Sequence, residues 1–245
     1  MTRLYLIRHG QAFCNVPPYG LVAGMNGDLG LTPHGVLQAE RLRDRLAATG
    51  EIAPDVLIAS TLPRARQTAE IIAPALGLPI IPDDEVQEMR VGDLDGQPWN
   101  DVKDYFPDFR KEPYRPFGPG GENYGQFVLR VAGALDRILA EHDGKTITIV
   151  CHGGVIDASF AVFFGMNTLT PGATGLYTRN TSITVWEKRE VEGFSVRWRL
   201  SQYNDDLHVR DIATPERIGW TRIAREEPPE VEKPAVPLPT EEEIA

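Results

Sequence analysis

The chain has 245 residues with 25 Lys+Arg against 35 Asp+Glu, and it is 42% hydrophobic and 24% charged. That profile excludes disorder, collagen and coiled coil, and it is long enough for one large core. Of the net charge of −10, residues 226 to 245 carry −6, which leaves the first 225 only mildly acidic. This balance argues against general nucleic-acid binding, which needs a basic face. No apolar stretch reaches the roughly 18 residues of a membrane span; the best, Val155 to Phe164, contains Asp157 and reads as a core helix. Met1 to Gly10 lacks the apolar region of an export signal, so a cytoplasmic protein with no membrane partner is expected. Cys14 and Cys151 give no disulfide framework and are expected as reduced thiols, which leaves little weight for the glycosylation match Asn180-Thr181-Ser182.

The first element, Arg3 to Ile7, is a short apolar, β-branched run of the kind buried on both faces of a parallel sheet. Thr32-Pro33 is a cap followed by proline at the first helical position, and Val36, Ala39, Leu42 and Leu46 then mark one helix face until Gly50. Asp55 to Ala59 is a second buried strand, and Ser60 to Pro74 a second helix. From Trp99 to Gly121, aromatics alternate with Pro, Lys and Arg, either capping a pocket or packing as a surface subdomain. Glu122 to Glu141 has the apolar recurrence of an amphipathic helix. Thr146 to Cys151 is a third buried strand. Ser182 to Glu187 and Ser195 to Leu200 close the sheet as a hairpin over the Glu190 to Gly193 turn. The last twenty residues hold five prolines, seven Glu and no aromatic residue, so a disordered, solvated tail is expected there.

Ligands of open α/β sheets bind beyond the carboxyl ends of the strands. Three strand ends here deliver Arg8-His9-Gly10, then Ser60 followed by Arg64, then His152-Gly153-Gly154. Two imidazoles and two guanidiniums meeting at one edge fit an anion, and two Arg forks suit a tetrahedral phosphate. A neutral histidine could then attack phosphorus. Flanking Arg charges disfavour the imidazolium, which makes His9 the candidate.

The sequence resembles the histidine phosphatase superfamily, the group that includes cofactor-dependent phosphoglycerate mutases. The resemblance rests on Leu6-Ile7-Arg8-His9-Gly10 with Asn15, on Ser60 to Thr68 (STLPRARQT), on Glu88, on Gly121-Glu122 and on His152-Gly153, and it spans residues 3 to about 187. It implies an α/β fold, a three-layer helix-sheet-helix sandwich with a mostly parallel sheet, formed by residues 1 to 225. It further implies that His9 attacks phosphorus while Arg8, Arg64 and His152 hold the equatorial oxygens, with Asn15 and Gly153 also binding substrate. Glu88 resembles the family's proton donor, with Glu85 as the weaker alternative.

The expected activity is metal-independent hydrolysis of a small-molecule phosphomonoester, with no cofactor and with room for a homo-oligomer. A metal site is disfavoured because two fixed cations would repel a divalent ion, and no His-x-x-x-His or Cys-x-x-Cys spacing occurs. A serine hydrolase is disfavoured by the lack of a Gly-x-Ser-x-Gly elbow. Two rivals stand: a phosphoglycerate mutase, against which the 64 positions from Glu88 to His152 leave little room for a substrate-gripping insertion, and a silent phospho-ligand or partner-binding module.

Overall fold

A computed structural model describes residues 1–16, 20–109, 111–166, 176–191 and 194–212. The acidic segment from 226 to 245 lies outside them. Six strands form one sheet in the order β3-β2-β4-β1-β5-β6: β1 is Arg3–Arg8, β2 Val56–Ser60, β3 Ile80–Asp83, β4 Thr146–Cys151, β5 Ile183–Val191 and β6 Phe194–Asp205. β1, β2, β3 and β4 are mutually parallel, while β5 runs antiparallel to β1 and β6 antiparallel to β5. The mixed sheet is therefore parallel where the strand ends carry the charged motifs and antiparallel only on the closing hairpin. The two residues joining β5 to β6 lie outside the description.

The helices begin and end where local chemistry directs. α1, Pro33–Thr49, has Thr32 as its N-cap, with the hydroxyl accepting from Gly35 N–H, and stops at Gly50 in the left-handed region. α2, Pro63–Leu76, starts three residues later than the sequence suggests, because Ser60 still pairs in β2. Pro63 takes the first helical position, and Pro74 sits in the last turn before Gly77. After the short α3, Trp99–Val102, the long α4, Tyr124–Glu141, opens with a capping box between Asn123 and Gln126. α5, Gly153–Phe164, follows β4 after the single residue His152.

One core lies between the sheet and α4 and α5, centred on Leu6, Ile149, Val131, Leu135 and Trp186. A second lies on the other face beneath α1 and α2, with Ile7, Leu42, Leu57, Ile72 and Val150. Sheet residues alternate between the two cores, which makes three layers. A satellite cluster joins Val22, Val91, Leu94 and Val102 to Trp99, Tyr105, Phe106 and Phe117. Phe106 meets Phe117 edge-on at 4.1 Å. Of the two readings of the Trp99 to Gly121 stretch, these contacts match the packed surface subdomain.

One close approach positions the site. A Cβ at Gly10 would lie 2.5 Å from the Gly35 carbonyl, and one at Gly35 would lie 2.0 Å from the Gln11 carbonyl. The loop after β1 can thus lie directly on the start of α1 only because both positions are glycine.

Candidate active site

β1 and β4 are paired in register with Arg8 opposite Cys151, so the residues that follow them, His9 and His152, emerge side by side. Their ring centroids are 5.1 Å apart, and they are 3% and 0% exposed. Arg64 reaches them from the first turn of α2, itself only 3% exposed, and its Nε donates to His9 Nε2 at 3.1 Å. His9 Nδ1 lies 2.7 Å from the Gly10 carbonyl. The donor at Nε2 and the acceptor at Nδ1 together select the tautomer with the proton on Nδ1 and a lone pair on Nε2. Burial, then the Arg64 and Arg8 charges, hold His9 well below the ordinary histidine range. Burial, then Arg64, His9, Arg8 and Arg130, hold His152 low as well.

The remaining STLPRARQT side chains build the scaffold around this pair. Ser60 Oγ contacts His152 Nε2 at 2.7 Å, while His152 Nδ1 is buried with no hydrogen-bond partner among the described residues. Thr68 accepts the Gly10 N–H at 3.0 Å and Gln67 accepts the Leu31 N–H at 2.8 Å. Arg66 pairs with Glu70, one helical turn on, at the surface. Arg8 donates to the Thr178 carbonyl. It also flanks the helix entry, since a Cβ at Gly153 would stand 3.6 Å from its Nε.

Glu88 arrives from the segment after β3. Its carboxylate accepts N–H bonds from Gly154 at 3.0 Å and Met89 at 3.1 Å. A Cβ at Gly154 would fall 2.1 Å from Glu88 Oε1, so the glycine makes room for this carboxylate beside the histidine strand end. Glu85 instead pairs at the surface with Arg90 at 3.0 Å. Asn15 is exposed on a short 3-10 turn with its Oδ1 accepting from Ala12 N–H at 3.2 Å, and no described contact ties it to the cluster. Thus Arg8, His9, Arg64, His152, Gly153 and Glu88 are brought to one edge, and Asn15 and Glu85 are not.

Several residues there were not singled out from the sequence. Asp28, in the glycine-rich loop before α1, accepts from Arg64 Nη1 at 2.9 Å and from the Arg64 backbone N–H at 3.1 Å, fully sealed from solvent. Asn180 is buried and donates to the His9 carbonyl at 2.9 Å, and the Thr181 N–H donates to the Arg8 carbonyl at 3.0 Å. An Asn in that setting offers no acceptor for a glycan. Arg130, on α4, pairs bidentately with Glu122 and donates to the carbonyls of Glu85, Gln87 and Glu88. Cys14 and Cys151 are both free thiols, and burial pushes each above its usual range, which opposes thiolate reactivity. Among the described residues, no three His, Cys, Asp or Glu side chains group as metal ligands, and no helix is long and apolar enough to cross a membrane.

The model of the histidine phosphatase superfamily (branch 1) matches residues 4–205. A metal-independent phosphoserine phosphatase from Arabidopsis thaliana is 26% identical over 223 residues, covering 89% of this chain and 87% of the relative. A probable phosphoglycerate mutase, GpmB, from Yersinia pestis is 27% identical over 213 residues, covering 85% and 95%. The structure of a phosphoserine phosphatase from Entamoeba histolytica, crystallised as a mutant with phosphoserine, superposes with a TM-score of 0.66 at 25% identity, covering 85% of this chain and 100% of that one. The chain belongs to the histidine phosphatase superfamily. Its activity is that of a phosphoric monoester hydrolase.

Proposed function

We propose that this enzyme hydrolyses small phosphomonoesters through a phosphohistidine on His9, without a metal. The observation that carries the reading is the hydrogen bond from Arg64 to His9, both buried side chains. It keeps the Nε2 lone pair unprotonated. When a phosphate enters, its oxygens compete for the guanidinium N–H groups, and Nε2 is released to attack phosphorus. Arg8, Arg64 and His152 would then hold the equatorial oxygens as charge redistributes, with His152 Nδ1 gaining the partner it lacks among the described residues. Gly153 lies at the N-terminus of α5, where the helix dipole favours the same anion.

Glu88 is assigned the proton. It delivers one to the departing alcohol oxygen and takes one from the water that attacks the phosphohistidine, so each turnover consumes one water and releases phosphate and alcohol. Unpaired Cys14 and Cys151 suit a reducing, cytoplasmic setting.

The test is rapid quenching with a labelled aryl phosphate. Wild type should retain a base-stable, acid-labile label, and His9→Ala none. A label that persists in His9→Ala would refute the nucleophile. The mutase reading has the Yersinia relative behind it. Product analysis after incubation with 3-phosphoglycerate decides between them, free phosphate supporting hydrolysis and 2-phosphoglycerate the mutase.

A further inference from the structure

Glu88 is not the last carboxyl at this edge of the sheet. The Gly154 N–H is bonded to Glu88, and a residue three positions further along a helix lies on the same face. That residue is Asp157. Its Oδ1 is buried with no hydrogen-bond partner among the described residues, while the residue as a whole is only partly buried. Asp157 interacts electrostatically with Glu88 and Arg8. Its charge is also felt by Tyr124, at the start of α4, and Tyr203, on β6. Tyr203 OH in turn lies 3.2 Å from Thr178 Oγ1, the residue whose carbonyl receives Arg8. Burial, then the Glu88 charge, pushes the Asp157 carboxyl up to about 7.

A buried polar oxygen left unpaired is destabilising, and such groups in folded proteins call for a specific explanation. Among the described residues no fold contact supplies one: Asp157 makes no ion pair there, whereas the carboxylate of Glu88, with which it interacts, is engaged by two backbone N–H groups. The charge balance says what would engage Asp157. With Arg8 and Arg64 taken up by a phosphate dianion, an alcohol portion that departs towards Glu88, the assigned acid, would meet the Glu88 and Asp157 carboxyls together. They favour a hydrogen-bond donor, above all a cationic one.

Resting on the phosphatase reading, we propose that Asp157 is a specificity-determining residue that accepts a hydrogen bond from a hydroxyl or ammonium group on the leaving alcohol, so that donor-bearing alkyl phosphates are the preferred substrate class. The arms of the test separate the two donors.

Values of kcat/KM are compared for phosphoethanolamine, glycerol 3-phosphate and n-propyl phosphate in wild type, Asp157→Asn and Asp157→Ser. Wild type should prefer at least one donor-bearing ester over propyl phosphate by tenfold or more, and both variants should cut that preference to threefold or less. Loss confined to phosphoethanolamine identifies an ammonium; loss for both identifies a general donor. No preference in wild type, a preference that survives in the variants, or equal slowing of all three esters overturns the proposal. The wild-type comparison stands even where a variant does not fold. Failure of the phosphatase reading looks different, because then no ester labels His9.

Discussion

Arg64 faces His9 with one edge of its guanidinium and Asp28 with the other. The carboxylate fixes the side chain and offsets a cation that burial would otherwise make costly. Asp28→Asn should therefore lower kcat by one to two orders of magnitude and destabilise the fold by about 3 kcal/mol, the order expected when a buried pair loses one member. Urea unfolding alongside steady-state kinetics measures both, and a variant with wild-type stability and turnover would deny Asp28 this role. At this scale Arg8, His9, Arg64 and His152 could be picked out because each follows a strand-like run within a few residues. Asp28 and Asn180 could not. Asp28 meets Arg64 across 36 positions and Asn180 meets His9 across 171, and an Asp or Asn in a loop carries no local mark of a distant partner. Asn15 shows the converse, since a motif position can be present while its side chain serves its own turn.

The proposed acid comes from an irregular segment that α4 holds in place. Arg130 spans the gap, with its side chain 6% exposed, paired with Glu122 at 2.6 Å and bonded to the carbonyls of Glu85, Gln87 and Glu88. Glu122 in turn accepts the Arg90 N–H at 2.9 Å. Arg130 is thus a positioning residue for Glu88. Arg130→Met should slow alkyl phosphates at least tenfold more than aryl phosphates, because an aryloxide leaves without protonation and an alkoxide does not. Equal slowing of both would mean that Arg130 supports only the fold. Among elements, α1 and α4 were legible to within two residues, since a cap and an apolar stripe mark them. β3 was not recognised. It is four residues long, contains Pro82 and sits at the sheet edge, where a proline costs no ladder bond but the hydrophobic signature is weak.

Across the whole molecule, buried titrating groups set opposing demands on stability. His9 and His152 are depressed below their ordinary value, so the unfolded chain binds more protons as the pH falls through about 6.5, and stability present above that point is lost below it. Asp157 is raised from 3.8 to about 7, so the folded chain holds the extra proton between those values and loses stability as pH rises through them. Asp157→Asn should consequently be more stable than wild type at about pH 8, by on the order of 3 kcal/mol, with the gap closing towards about pH 4. Thermal melts across that range check it, and a pH-independent difference would contradict it. Three of the parallel strands and the alternation with helices could be read from buried β-branched runs, but the order of strands across the sheet could not, because it is settled by which faces pack in three dimensions.

β1 lies between β4 and β5, strands that follow it far along the chain, and the carbonyls of Arg8 and His9 are gripped by Thr181 and Asn180. A nascent chain that has not yet exposed residues 178 to 187 has neither the backbone anchors of the proposed nucleophile nor the strand that closes its other side. The proposed phosphoryl chemistry is thereby withheld until those residues have joined the sheet, and fragments that stop before them should be inert.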